Sequence, residues 1–138
     1  MAQECPLWAA LTIKDTQYGF AGATGTVWTI APDYTFTIAR HIGLKILDPY
    51  KQGRLTPEQQ VHFKAMLGRV GVSKLPKRLG SGPRVNARII TLSYDGADSV
   101  LTLPPGGGDL RSLRGPAGDD SAAALLEIAG TVKEMTAS

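Results

Sequence analysis

A single cysteine, Cys5, leaves the chain without the means to form an internal disulfide, so no redox framework supports this fold. A catalytic thiol needs a base beside it, and nothing in the sequence places one near Cys5, which reads as a half-buried thiol ahead of a first strand. Histidine is almost as scarce. His41 and His62 stand in no spacing that would hold a metal with cysteine or carboxylate neighbours, so no metal site is expected. There is no Gly-x-Ser-x-Gly elbow, no His-Glu-x-x-His and no paired-carboxylate pattern, so no catalytic residues and no cofactor are assigned. Apolar runs last only a few residues, against the roughly 20 that a membrane-spanning helix requires. No intact signal peptide is visible. The start Met1-Ala2-Gln3-Glu4-Cys5 reads either as a methionine set before a mature N-terminus, which would mean export, or as an ordinary cytoplasmic start; export is the expectation carried forward.

What is present suffices for a core. Hydrophobic residues make up 43% of 138 positions, in the size range of one domain, so residues 1–138 are expected to form a single domain, with 1–6 and the loop 104–118 flexible. Trp8 to Lys14 alternates with the period of a strand. A glycine-rich break, Tyr18 to Gly25, comes next, and then Thr26 to Ala31, β-branched and aromatic, resumes as a second strand. Pro32-Asp33 offers a turn into a third strand, Tyr34 to Ile42, so the second and third strands should pair as a hairpin. Thr56-Pro57-Glu58-Gln59 announces a helix, with threonine as N-cap, proline at the first helical position and glutamine placed for a capping box. Val61, Phe63, Met66, Leu67 and Val70 then supply an apolar stripe. Ala87 to Tyr94 and Ser99 to Leu103 read as a later hairpin, and Pro104-Pro105-Gly106-Gly107-Gly108 as a loop. Asp119, Asp120 and Ser121 cap a last helix whose apolar face is Ala122, Leu125, Ile128, Ala129, Val132 and Met135. The order β-β-β-α-β-β-α with short connections predicts an α+β fold, an antiparallel sheet of about five strands with two helices on one face.

Two features point to binding. Gly22-Ala23-Thr24-Gly25 and Gly80-Ser81-Gly82 lack the lysine-serine ending and strand-to-helix setting of phosphate loops and read as turns. Glycines around Phe20 would present an aromatic anchor to a partner. Charge is also divided: residues 40–88 hold eleven lysines and arginines against Asp48 and Glu58, a net of +9, while the remainder carries −6. A surface built from Lys74, Lys77, Arg78, Arg84 and Arg88, extended by Lys45, Lys51, Arg54, Lys64 and Arg69, would attract an acidic protein, an anionic polymer or a membrane surface. Nucleic acid is the less favoured partner, because no exposed aromatics interleave with these charges.

The stretch Tyr18-Gly19-Phe20-Ala21-Gly22 resembles the emfourin family of small protealysin inhibitors, whose members carry a Gly-Gly-Phe-Ala-Gly stretch after a first strand. Leu55-Thr56-Pro57-Glu58-Gln59 is similar to the start of that family's helix, Val72-Ser73-Lys74-Leu75-Pro76 to the turn beyond it, and Ile89 to Leu103 to its later hairpin. The likeness covers residues 11 to 113. Tyr18 stands where a glycine is usual, and Lys45 to Arg54 and the acidic, glycine-rich tail depart from the pattern. The resemblance implies a non-catalytic protein-binding module that inhibits a thermolysin-like metallopeptidase by occluding its surface, without a cofactor, through Tyr18, Gly19, Phe20, Ala21 and Gly22. The alternative from charge alone is a basic adaptor for an anionic polymer, acidic protein or membrane surface.

Overall fold

Side chains alternate across a strand, so Leu11 and Ile13 face the same way, and Asp15 and Gln17 continue their line. In a computed structural model that describes residues 10–19, 22–43, 45–70, 77–80, 88–94, 97–103 and 120–136, this line belongs to β1 (Leu11–Gly19). It lies between β2 (Gly22–Ile30) and β7 (Arg88–Tyr94), antiparallel to both. Beyond β2 comes β3 (Thr35–Ile42), whose outer side is paired by β4 (Lys45–Ile46) and β5 (Lys51–Arg54). On the other flank β8 (Ala97–Leu103) pairs with β7, and β6 (Arg78–Gly80) pairs with β8 in parallel. Helices α1 (Pro57–Val70) and α2 (Asp120–Thr136) complete an α+β fold on a mainly antiparallel sheet.

The eight strands among the described residues exceed the about five expected, because β4, β5 and β6 are short pieces with little apolar alternation. Lys45 to Arg54, which reads from sequence as an insertion, is the outer rung of the sheet. It runs antiparallel along β3, with Leu47 to Tyr50 bulging between the two paired pieces. The glycine-rich stretch is likewise not a break: β1 runs to Gly19 and β2 starts at Gly22, with Gly25 inside the ladder. Gly25 is paired on both sides, to Thr16 of β1 and His41 of β3, and that pairing outweighs the weak strand preference of glycine. The Pro32-Asp33 turn is present: Asp33 Oδ1 accepts bonds from the Thr35 amide (3.1 Å) and hydroxyl (2.6 Å). Those bonds favour the ionised form and hold the carboxyl below its ordinary 3.8.

Buried residues form one cluster. It takes alternate side chains from the sheet (Leu11, Ile13, Trp28, Ile30, Phe36, Ile38, Ile90, Leu92, Leu101, Leu103), Phe63, Met66 and Leu67 from α1, and the whole expected face of α2. Both helices therefore cover the same side of the sheet. Each fully buried leucine or isoleucine there contributes about 1.5–3 kcal/mol over an exposed one. The capping box of α1 is formed, the Gln59 amide donating to Thr56 Oγ1 (3.2 Å) and the Thr56 amide to Gln59 Oε1 (2.9 Å). Val61, expected in the stripe, is instead 72% exposed. At about 100° per residue it lies some 200° from Phe63, so the two cannot share a face. Gln60 takes the buried place and donates from Nε2 to the carbonyl of Leu55 (2.8 Å).

Phe36 lies opposite Gly53 of the outer rung, and a Cβ added at that glycine would come within 2.6 Å of its ring. Gly53→Val is expected to push the ring off β5 and lower stability by about 1–3 kcal/mol in urea unfolding. An unchanged midpoint would show that β5 does not help to hold Phe36.

Candidate functional site

Read across the strands, the helix-covered face divides by level. Two neighbouring rows are largely apolar, Phe36–Ile30–Leu11–Tyr94 and Ile38–Trp28–Ile13–Leu92. The next two run Arg40–Thr26–Asp15–Ile90–Leu101 and Ile42–Thr24–Gln17–Arg88–Leu103, polar over β1 to β3 except for Ile42 and apolar over β7 and β8 except for Arg88. Where the rows turn polar a groove of about 650 Å³ opens, lined by Asp15, Gln17, Thr24, Thr26, Arg40 and Ile42, with Gly25, His41 and Leu47 completing it.

The inner wall carries a fork-to-fork ion pair. Arg88 donates from Nε to Asp15 Oδ1 (2.9 Å) and from Nη2 to Asp15 Oδ2 (2.6 Å), a bidentate match of two planar groups. The side chains are 3% and 14% exposed. Arg88 is therefore not part of a basic surface, as its charge alone suggests; it sits on the inward-facing register of β7, where a carboxylate one strand away neutralises it.

Behind the groove, Thr16, Gly25 and His41 form one row on the opposite face of the sheet. The His41 ring reaches across Gly25 to Thr16 Oγ1, 3.0 Å from Nε2, and its Nδ1 lies 3.2 Å from the carbonyl oxygen of Gly43. A carbonyl only accepts, so Nδ1 carries a proton, and in the neutral imidazole Nε2 then accepts from the threonine hydroxyl. Gly25 is required here: a Cβ would fall on the backbone oxygen of Asp15 and 2.9 Å from His41 Nε2. A hydroxyl on an imidazole is the pairing of an activated nucleophile. Thr16, however, is 7% exposed and is not among the residues lining the groove, so the pair works as a clamp. With the Gly43 amide bonded to the Ala23 carbonyl (2.7 Å), it ties the end of β3 to the base of the β1–β2 hairpin.

That hairpin carries the expected binding stretch. Tyr18 is 46% exposed, Gly19 pairs with Gly22, and Gly22 adopts φ 86°, a left-handed conformation that glycine accepts without a steric cost. Phe20 and Ala21 lie outside the described residues. Of the expected basic set, Lys77 is exposed, Arg78 is described through its backbone alone, and Lys74 and Arg84 lie outside. Exposed cations do occur elsewhere, at Arg40, Lys45 and Lys64. His62 is exposed on α1, far in sequence from His41, which is 2% exposed. Among the described residues no three His, Cys, Asp or Glu side chains gather as metal ligands, and no helix is long and apolar enough to cross a membrane.

The groove escapes a residue-by-residue reading of the sequence, although its signal is there. Leu11, Ile13 give way to Asp15, Gln17; Ile30, Trp28 to Thr26, Thr24; and Phe36, Ile38 to Arg40. Three inward-facing registers change polarity at one level, which becomes visible only once the pairing is known. No protein-family model matches this chain, and no curated protein sequence matches it.

Proposed function

We propose that the chain is a non-catalytic protein-binding module that offers the end of its β1–β2 hairpin to a partner. The observation that carries this reading is the reach of the hairpin. Among the described residues, β1 and β2 stay paired to Gly19 and Gly22, and Tyr18, one residue before that end, is 46% exposed. The clamp from Thr16 through His41 and Gly43 to Ala23 holds the strands behind that end, and a binding segment carried on a rigid support loses less entropy on association. Phe20, at the next position, is the anchor, because buried aromatics dominate interface energetics. Inhibition of a thermolysin-like metallopeptidase is the specific form that the resemblance to emfourins suggests, by occlusion of the enzyme's surface.

The test is an inhibition titration of protealysin and thermolysin by the purified chain, alongside capture of partners from the native host followed by mass spectrometry. The expected result is a stoichiometric complex that Phe20→Ala weakens by about 100-fold, in line with the 2 kcal/mol or more typical of an aromatic anchor. Binding that ignores Phe20→Ala and collapses with added salt would instead mark the basic adaptor for an anionic polymer or surface. Recovery of no protein partner at all would end the protein-binding reading.

A further inference from the structure

We infer that the groove beside Asp15 and Arg40 is a carboxylate-binding site, which on the protein-binding reading above would take an acidic side chain of the partner. Charge is the first ground. Asp15 and Arg88 neutralise each other at the inner wall, so the groove is left with Arg40, which is exposed and whose side chain forms no ion pair or hydrogen bond among the described residues. A lone guanidinium presents a planar fork that matches a carboxylate.

Donors are the second ground. Thr26 lies in the same cross-strand row as Arg40, and Thr24 in the next, so two hydroxyls line the floor beside the cation. Ile42 and Leu47 give the rim apolar surface for the methylene stem of a glutamate or of a small organic acid. The third ground is size and sign. Arg40 and Asp15 are two strand spacings apart, about 10 Å, so a carboxylate can sit at the Arg40 end clear of Asp15. A dianionic phosphate would meet only one uncompensated positive charge, with the Asp15 carboxylate on the far wall.

The experiment follows the backbone amides of the full chain by ¹⁵N NMR during titration with two singly charged probes, sodium butyrate and a blocked tripeptide with a central glutamate. Sodium chloride at matched ionic strength is the reference. Saturable shifts at Thr24, Thr26 and Arg40 are expected, with affinity falling about 10-fold in Arg40→Gln, the equivalent of roughly 1.4 kcal/mol. Lys64→Gln on α1 should change nothing. Both substituted residues are exposed, so folding is not at stake. Tighter binding of the peptide marks a partner's side chain as the source of the carboxylate, and equal or tighter binding of butyrate marks a free acid; either supports the site. Shifts no larger than those of chloride, or shifts that persist unchanged in Arg40→Gln, overturn it. Loss of this result alongside an intact Phe20-dependent complex would sink the groove alone. Carboxylate binding without any protein complex would sink the module reading alone.

Discussion

Asp15→Ala should lower the stability of the protein by about 3 kcal/mol, since it leaves the guanidinium of Arg88, 3% exposed, without the carboxylate that neutralises it. Removing one member of a buried pair is costly because the other keeps its charge while remaining out of water. The range for such changes is about 3–5 kcal/mol, and the partial exposure of Asp15, at 14%, puts this pair at the lower end. Asp15→Asn should cost less, as the amide oxygen still accepts one bond from Arg88. The double replacement Asp15→Leu with Arg88→Met should recover most of the loss, because no charge is then stranded. Chemical denaturation of the four proteins checks this, and a double variant no better than Asp15→Ala would contradict it. Urea is the suitable denaturant, and the loss should persist at high salt because a pair this enclosed is screened little.

Gly25→Ala is expected to be of similar severity, about 3 kcal/mol, for a steric reason. The new methyl group would press on the backbone oxygen of Asp15, which cannot move without shifting β1, and on the ring of His41. Overpacking of this kind costs about 1–3 kcal/mol, and separating His41 from Thr16 adds about 1 kcal/mol for the lost hydrogen bond. The melting temperature should fall on the order of 10 °C. Thr16→Val separates the two contributions, since it removes the hydrogen bond and leaves Gly25 in place. A Gly25→Ala protein as stable as the parent would mean that the three-strand row has room that this geometry denies it.

These two positions also show where the sequence is legible and where it is not. Elements whose signal is local are readable: the capping box of Thr56 and Gln59, the face of α2 from Ala122 to Met135, and the later hairpin. Each depends on neighbours within a few residues. Gly25 reads as part of a break because a glycine in isolation signals a turn; what demands it in a strand is the Asp15 carbonyl ten positions before it and an imidazole sixteen positions after it. Arg88 reads as a surface cation because charge does not reveal a partner 73 positions distant. The edge pieces β4 and β5 carry polar, exposed residues on an outer rung, so the alternation that marks inner strands is weak there. The groove combines these difficulties, since it is made of ordinary polar residues that acquire meaning only when three strands are set in register.

The bulge at Leu47 to Tyr50 has a consequence for self-association. A continuous outer strand from Lys45 to Arg54 would present an unbroken row of unpaired amides and carbonyls, a template on which a second copy could add its own edge and a third could follow. Here the row is cut into pieces of two and four residues, with Pro49 unable to donate and Lys45, Lys51 and Arg54 on the flanking pieces. Two such edges brought together would meet out of step and with like charges opposed, so the sheet ends at this rung and propagation into fibrils is discouraged on this side.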